Sequence, residues 1–367
     1  MIKYLHVLLF FLYIISSVGH AQFNSKNVEI DLITISPGEY YWEAFGHSAI
    51  RIKSDDFDKM FGFGYFDFNE DNFFLNFAKG DMRYFLGVVE SDDELEGYRE
   101  KGRAITSQRL DLTSSQTQNL VNKLVFLSKG ENKFYQYDYF LNNCTSQIRD
   151  IIDEVTNGDI SKNLKSQPTK QSWSDLTFPA NNQAWMNLGI AISYGIHAYT
   201  ERSQWKLSVF PEVFSQDLKN LKVSANWNAD FVELYNPSAV ELKTTQYSFK
   251  NTHYAVLIVI GILLVGLLFL TKTTIAFWLI TQSLLGIGLL MLWFFTKHAI
   301  AMWNINVLIF CPFAFLLILE KFKKPLIKKG FLLINILWLV AAGVLTNYYL
   351  IGFAFINLII WKKISKA

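Results

Sequence analysis

The chain has 367 residues, of which 51% are hydrophobic and 18% are charged, and its formal net charge is +2. The acidic side chains lie almost entirely in the first 250 residues, and Glu320 is the single one beyond Tyr254. This distribution excludes a disordered protein and an ordinary cytosolic enzyme, and no basic stripe indicates nucleic-acid binding. We therefore expect two domains, a polar one and one in a lipid bilayer.

The N-terminus has the pattern of a secretory signal peptide. Lys3 precedes an apolar run from Tyr4 to Ile15, and the segment closes with small residues up to Ala21. A short positive region, an apolar core and a small-residue ending are the signature of such a peptide. The sequence thus predicts a signal peptide at 1–21 with cleavage after Ala21. An uncleaved anchor is the alternative, and in both cases the following domain is exported.

The exported part, between Asn24 and Lys250, combines strand and helix patterns. Four segments have the alternation or composition of strands, namely Val28–Ile35, Ala44–Ile52, Phe61–Phe68 and Arg103–Leu112. A capping-box sequence starts a helix at Thr113, and a second helix is predicted from near Cys144 to Gly158. Polar residues and prolines at 161–180 indicate an internal boundary. We therefore divide this part into 22–165 and 166–250.

The C-terminal part, 251–367, is predicted to be an all-α membrane domain. Its apolar segments suggest five helices, near 254–270, 275–296, 299–319, 331–346 and 348–361. Five lysines between Glu320 and Gly330 place that loop in the cytoplasm by the positive-inside rule. The lysines at the C-terminus are then best placed on the same side, which requires a break near Asn347. Four helices are the alternative.

A single cysteine in the exported domain is the strongest chemical signal. The chain has two cysteines, and Cys311 falls in a predicted membrane helix, so Cys144 has no disulfide partner within its own domain. A thiol at a helix N-terminus has its thiolate stabilised by the free N–H groups and the helix dipole. Cys144 is therefore a candidate nucleophile, and the alternative is a small buried hydrophobic residue.

A cysteine nucleophile usually needs a base, and His47 is the candidate. It lies in a predicted strand directly after Gly46, although a lone histidine in a sheet is more often structural. A third group should orient the imidazole. Asp67 is the first choice, followed by Glu43 and Asn142.

These residues resemble a known family. The motifs that carry the resemblance are Gly46-His47-Ser48-Ala49-Ile50-Arg51, Phe63-Gly64-Tyr65-Phe66-Asp67-Phe68 and Asn142-Asn143-Cys144-Thr145. They look like the periplasmic domain of Lnb-type lipoprotein N-acyltransferases, in the circularly permuted branch of NlpC-like, papain-related thiol folds. The resemblance continues through Asn187-Leu188-Gly189 and Phe210-Pro211, and into the tail at His298, Trp303, Asn304, Asn306 and Pro312. It implies an α+β fold, with a permuted NlpC-like domain followed by a transmembrane bundle.

The resemblance also implies a function. An acyl chain would move from a phospholipid to the α-amine of a lipoprotein's diacylglyceryl-cysteine through a thioester on Cys144. His47 would manage the protons, and the Cys144 N–H, with Asn142 or Asn143, would stabilise the oxyanion. The implied partners are a phospholipid donor, a diacylated lipoprotein acceptor and the bilayer, with no metal or diffusible cofactor. The implied location is the bacterial inner membrane, with the thiol domain in the periplasm.

Several alternatives remain open at this stage. A membrane-tethered NlpC-like cysteine peptidase or amidase acting on peptidoglycan would use the same Cys144 and His47. A non-catalytic membrane assembly factor would need neither residue. In the tail, Asn304 and Asn306 either contact substrate or join helices, because their amides need hydrogen-bond partners in a bilayer. His298 is either part of that membrane motif or simply interfacial.

Overall fold

The first part of the protein is built on one antiparallel sheet. The computed structural model describes residues 28–180, 184–221, 227, 229–237, 271–319, 322, 324–344 and 350–366. The strands are β1 (Glu29–Ile35), β2 (His47–Ser54), β3 (Phe57–Tyr65), β4 (Arg83–Glu90), β5 (Ile105–Arg109), β6 (Phe134–Gln136) and β7 (Phe231–Tyr235). They lie in the order β6-β4-β3-β2-β1-β5-β7, and every neighbouring pair is antiparallel.

Helices surround the sheet and form the C-terminal region. They are α1 (Phe73–Lys79), α2 (Ser91–Glu100), α3 (Ser114–Leu127), α4 (Cys144–Val155), α5 (Asp159–Lys165), α6 (Trp173–Ala180), α7 (Ala184–Ser193), α8 (Gln204–Leu207), α9 (Pro211–Asn220), α10 (Lys272–Phe295), α11 (Pro325–Val344) and α12 (Ile351–Lys366). Short 3-10 helices occur at Tyr41–Glu43, Gly130–Lys133, Ile196–Ala198, Ala299–Ala301, Ile305–Val307 and Ala314–Ile318. The predicted α+β class with a helical C-terminal region is confirmed at this level.

Both faces of the sheet are covered. One face packs against α3, α4 and α9, and Leu32 and Ile50 meet Ile148 of α4 there. The other face packs against α2, where Ile33 meets Leu95. The segment Val28–Ile35 was expected to be half-buried, but every residue of β1 after Glu29 is buried because helices lie on both sides. Burying apolar surface on both faces is the main source of stability for this domain.

Most of the predicted elements near the thiol are present. A capping box at Thr113 begins α3, and Cys144 is the first residue of α4. The strand predicted at Ala44–Ile52 begins instead at His47, because the 3-10 helix Tyr41–Glu43 and Gly46, at φ +80°, turn the chain before it. The strand predicted at Phe61–Phe68 runs instead from Phe57 to Tyr65, and a bulge at Gly64 shifts its register with β4.

The C-terminal region differs from five continuous helices. Helices α10 and α11 are long and apolar enough to cross a membrane by length and composition. The predicted helix 299–319 is wrong, since three short 3-10 helices replace it. Trp303 has φ +58° there, and the side chain of Asn304 accepts a hydrogen bond from the Asn306 N–H, which ends regular structure. The predicted signal peptide at 1–21, the predicted helix at 254–270 and the break near Asn347 lie outside the described residues.

Several contacts fix the first part of the protein on the C-terminal region. Lys297, just after α10, donates its backbone N–H to the Lys79 carbonyl at 2.7 Å and forms an ion pair with Asp81. Gly195 donates its N–H to the Ile300 carbonyl at 2.8 Å. A Cβ on Gly195 would lie 1.7 Å from the Met302 carbonyl oxygen, so only glycine permits this backbone approach.

Candidate active site

Cys144 begins α4 on a fully bonded turn. The Asn143 carboxamide oxygen accepts the Ser146 N–H at 2.8 Å, and the Ser146 hydroxyl accepts the Asn143 N–H at 2.7 Å. The Asn143 amide nitrogen donates to the carbonyls of Tyr139 and Val209. Asn143 is therefore the N-cap that fixes the thiol at the helix terminus, and its amide is already committed to the backbone.

The Cys144 thiol is half-buried among hydrogen-bond donors. Burial raises the pKa of the Cys144 thiol, and the Ser48 N–H and the Thr145 hydroxyl act in the opposite direction. The Thr145 hydroxyl lies 3.7 Å from the sulfur and shares a hydrogen bond of 3.1 Å with the Ser48 hydroxyl. These donors are placed to stabilise negative charge at the sulfur. Burial has the opposite effect and keeps the resting group a neutral thiol.

Two glycines of β3 leave space beside the thiol and the imidazole. A Cβ on Gly64 would lie 3.7 Å from the Cys144 Cβ, and a Cβ on Gly62 would lie 3.2 Å from His47 Nε2. The last bridged pair between β2 and β3 is Ala49 with Gly62, so the strand ends separate at this point. Cys144 therefore lies against Gly64 on the α4 face of the sheet, and His47 lies against Gly62 on the α2 face.

His47 lies on the α2 side of the sheet, in an environment that disfavours a proton. Burial, and then the positive charge of Arg103, lower the pKa of His47 to about 4. The Tyr98 ring of α2 lies 6.4 Å from the imidazole between centroids. At neutral pH the imidazole is therefore unprotonated.

Arg103 is a site residue that the sequence analysis missed. Its side chain is 4% exposed, Nε donates to the Ser36 carbonyl at 2.8 Å, and Nη1 pairs with Glu43 at 3.2 Å. Its Nη2 is buried without a hydrogen-bond partner in the described part of the chain. Glu43, predicted as a substrate or orienting residue, is placed instead as the buried counter-ion of Arg103. Nothing in the local sequence marks a buried arginine at this position.

A carboxylate between two tyrosines closes the His47 side of the site. The Tyr65 hydroxyl donates to Glu94 of α2 at 2.9 Å, and Tyr98 also bonds to Glu94. The Tyr65 ring is among the nearest groups to Gly62, which is also next to His47. Neither tyrosine nor Glu94 was predicted, because nothing in the sequence pairs α2 with β3.

The predicted third group is not brought to the imidazole. Asp67 is exposed, and its carboxylate accepts the Asn69 N–H at 2.8 Å, which forms a local turn after β3. Asn142 donates its amide to the Gln136 carbonyl at 2.6 Å and accepts a hydrogen bond from Gln147. Both side chains therefore shape the chain around the site.

The polar residues of the predicted membrane motif serve as connectors. Asn304 and Asn306 are buried, and their amides donate to the last carbonyls of α7, at 2.8–3.1 Å. The Trp338 indole of α11 donates to the Asn306 oxygen at 3.0 Å. His298 Nε2 donates to the Phe77 carbonyl at 3.0 Å, and its ring stacks on Tyr139. This arrangement favours the helix-joining alternative for the two asparagines.

Part of the chain is similar to a known family. Residues 16–177 match the family model of the Lnb N-terminal periplasmic domain. The matched stretch, which we call the Lnb domain, contains both His47 and Cys144. Lnb proteins are known as lipoprotein N-acyltransferases. Comparison with curated proteins and with solved structures gave no match.

The match ends within α6, so the rest of the 166–250 segment and the C-terminal region lie outside it. The match to a periplasmic domain model, together with two helices that are long and apolar enough to cross a membrane, suggests a membrane-anchored protein. Across the described ranges, no group of three or more His, Cys, Asp or Glu side chains is placed to hold a metal ion.

Proposed function

We propose that the protein is a phospholipid-dependent lipoprotein N-acyltransferase that uses Cys144 and His47. The observation that carries the proposal is the Cys144 thiol at the start of α4, inside the matched Lnb domain that also contains His47. The acceptor is the free α-amine of a lipoprotein's diacylglyceryl-cysteine. The protein would act in the bacterial inner membrane as a multi-pass protein, with the Lnb domain in the periplasm.

The first half-reaction transfers the acyl group to the enzyme. Neutral His47 takes the thiol proton, and the Cys144 sulfur attacks the ester carbonyl of the phospholipid. The N–H groups of Ser48 and Cys144, which point at the sulfur, are available to the oxyanion, and each such donor contributes about 3 kcal/mol. The ester C–O bond then breaks, and the leaving alkoxide takes the proton from His47. The products are a lysophospholipid and a thioester.

The second half-reaction passes the acyl group to the lipoprotein. The α-amine attacks the thioester carbonyl and gives a proton to His47. The carbon–sulfur bond breaks, and the departing sulfur recovers that proton as a thiol. An amide is formed and the enzyme returns to its starting state, so no other reactant is consumed. Holding both lipid-borne substrates at one thiol lowers the entropic barrier of each step.

Mass spectrometry of a lipoprotein's N-terminal lipopeptide tests this function. We expect triacylated peptide from cells with the wild-type protein and only diacylated peptide from a deletion and from Cys144→Ala. Cys311→Ala is the matched control, since it removes the chain's other free thiol, and it should give the wild-type result. Unchanged lipopeptides in Cys144→Ala, together with altered cell-wall fragments, would instead favour the peptidase or amidase alternative.

A trapping experiment tests the thioester itself. Wild-type protein given labelled phospholipid should form an acyl-enzyme that hydroxylamine releases, and Cys144→Ser should form none that is hydroxylamine-sensitive. If neither protein forms one, the thioester route is wrong.

A further inference from the structure

The Lnb domain exposes an unusually aromatic surface beside the site. Its members are large apolar side chains that are 44–76% exposed, namely Tyr40, Tyr41, Trp42, Phe68, Phe74 and Leu75. We call this set the aromatic surface. Scattered exposed apolar residues are normal on soluble proteins, but a contiguous patch marks an interaction site.

Ring contacts show that the aromatic surface is continuous. Tyr40 stacks on Trp42 at 4.8 Å, and Trp42 meets Phe68 at 6.1 Å between centroids. Phe73 connects Phe68, at 5.1 Å, with Phe74, at 5.4 Å. The 3-10 helix before β2, the loop after β3 and helix α1 therefore present one apolar face.

This face is continuous with the end of a membrane-length helix. Helix α1 accepts the Lys297 N–H at the Lys79 carbonyl and the His298 Nε2–H at the Phe77 carbonyl. Two residues before Lys297, α10 ends at Phe295, which is 77% exposed. Phe294 beside it is also exposed, and Trp293 lies 5.2 Å from Trp303. Aromatic side chains concentrated at a helix end are typical of the membrane–water interface.

An aromatic path leads from this surface towards the thiol. Phe66 packs on Phe68 at 4.7 Å and on Tyr84 at 5.0 Å. Tyr84 stacks on Tyr137 at 4.4 Å, and Tyr137 lies within electrostatic reach of Cys144. Packed aromatic rings therefore connect the aromatic surface with the interior near Cys144.

We propose that the aromatic surface inserts into the export-side leaflet of the bilayer, next to the end of α10. Its partner is lipid, because the surface adjoins a helix end that already carries interfacial aromatic residues, and because tyrosine and tryptophan favour that depth. The inference rests on the membrane placement in the proposed function, and it does not depend on acyl transfer.

Site-specific quenching tests the insertion on the full chain. Single cysteines at Phe74→Cys and, separately, Phe68→Cys are introduced in a Cys144→Ala, Cys311→Ala background and labelled with an environment-sensitive fluorophore. Phe126→Cys is the matched control, because Phe126 is a phenylalanine that is 60% exposed on α3 of the same domain. The proteins are reconstituted in vesicles of phosphatidylethanolamine and phosphatidylglycerol, with or without acyl chains that carry a nitroxide.

We expect the nitroxide lipid to remove most of the fluorescence at positions 74 and 68 and little at position 126, and aqueous iodide to give the reverse order. Equal lipid quenching at all three positions would overturn the proposal. Protection of position 74 from iodide without lipid quenching would also overturn it, and would point to a protein partner. Because the background lacks Cys144, none of these outcomes depends on whether the acyltransferase function is correct.

Discussion

His47 should make the stability of the Lnb domain sensitive to acid. Burial and then Arg103 lower the pKa of His47 from 6.5 to about 4 in the folded protein, whereas unfolding returns it to 6.5. Between these values the unfolded chain binds a proton that the folded chain does not, so acid favours unfolding. The stability gained by keeping the imidazole neutral is fully present above pH 6.5 and is lost as the pH falls towards 4. A pKa of about 4 in place of 6.5 corresponds to at most about 3.4 kcal/mol, of which about 2.5 kcal/mol is lost by about pH 4.5.

Thermal unfolding of the full chain in detergent, followed by tryptophan fluorescence, measures this effect. For a domain of about 200 residues, 1 kcal/mol shifts the midpoint by about 2–4 °C. Between about pH 7.5 and about pH 4.5, the wild-type midpoint should therefore fall by about 5–10 °C more than that of His47→Gln. His197→Gln, which removes an exposed imidazole, should behave as the wild type does. An equal fall in the wild type and His47→Gln would refute the assignment of a buried, neutral His47.

Two further predictions concern the C-terminal region, and the same unfolding assay measures both. A Cβ on Gly286 would lie 1.7 Å from the Phe310 carbonyl oxygen, whereas one on Gly288 would meet nothing within 4 Å. Gly286→Ala should therefore destabilise by about 1–3 kcal/mol, and Gly288→Ala should be neutral or stabilise by up to about 1 kcal/mol. Similar midpoints for these two variants would contradict the close packing of α10. Asn306→Leu removes the hydrogen bonds that its side chain makes with the Trp338 indole and the Ala191 carbonyl, at a cost of about 1–3 kcal/mol for each buried group left unpaired. Activity per folded molecule should be unchanged in Asn306→Leu, and a loss of activity at normal protein level would instead assign it a substrate role.

The start of α4 could be predicted from sequence because its determinants are local. Asn143, Cys144 and Ser146 lie within four consecutive residues. An N-cap followed by an apolar stripe at helical spacing can be recognised from about a dozen residues of sequence. The strand that carries His47 was readable for the same reason. Its start was misplaced because the turn before it depends on the conformation of Gly46, which alternation does not reveal.

Other parts depend on contacts between distant segments. Arg103 reaches the site by pairing with Glu43, which lies 60 positions earlier in the chain. Asp67 was selected as a carboxylate near the histidine strand, but a short acidic side chain after a strand equally forms a turn. The apolar average of 299–319 suggested one continuous helix. Such an average does not reveal that Asn304 and Asn306 hydrogen-bond to the C-terminal end of a helix in the preceding part of the chain.

Backbone contacts fix the thiol domain on the C-terminal region, which in the proposed function fixes the height of the thiol above the membrane. A Cβ on Gly80, at φ +70°, would lie 2.9 Å from the His298 nitrogen, and one on Gly195 would collide with Met302. Backbone contacts this close leave little freedom for sliding, in contrast to contacts made through long side chains. In the proposed reaction, two substrates held in a bilayer must reach Cys144 in turn, and neither can leave the membrane plane far. A fixed height raises the rate of acyl transfer, because the thiol does not have the positional freedom relative to its substrates that a flexible tether would allow. This explains why the thiol domain is held rigidly against the helices.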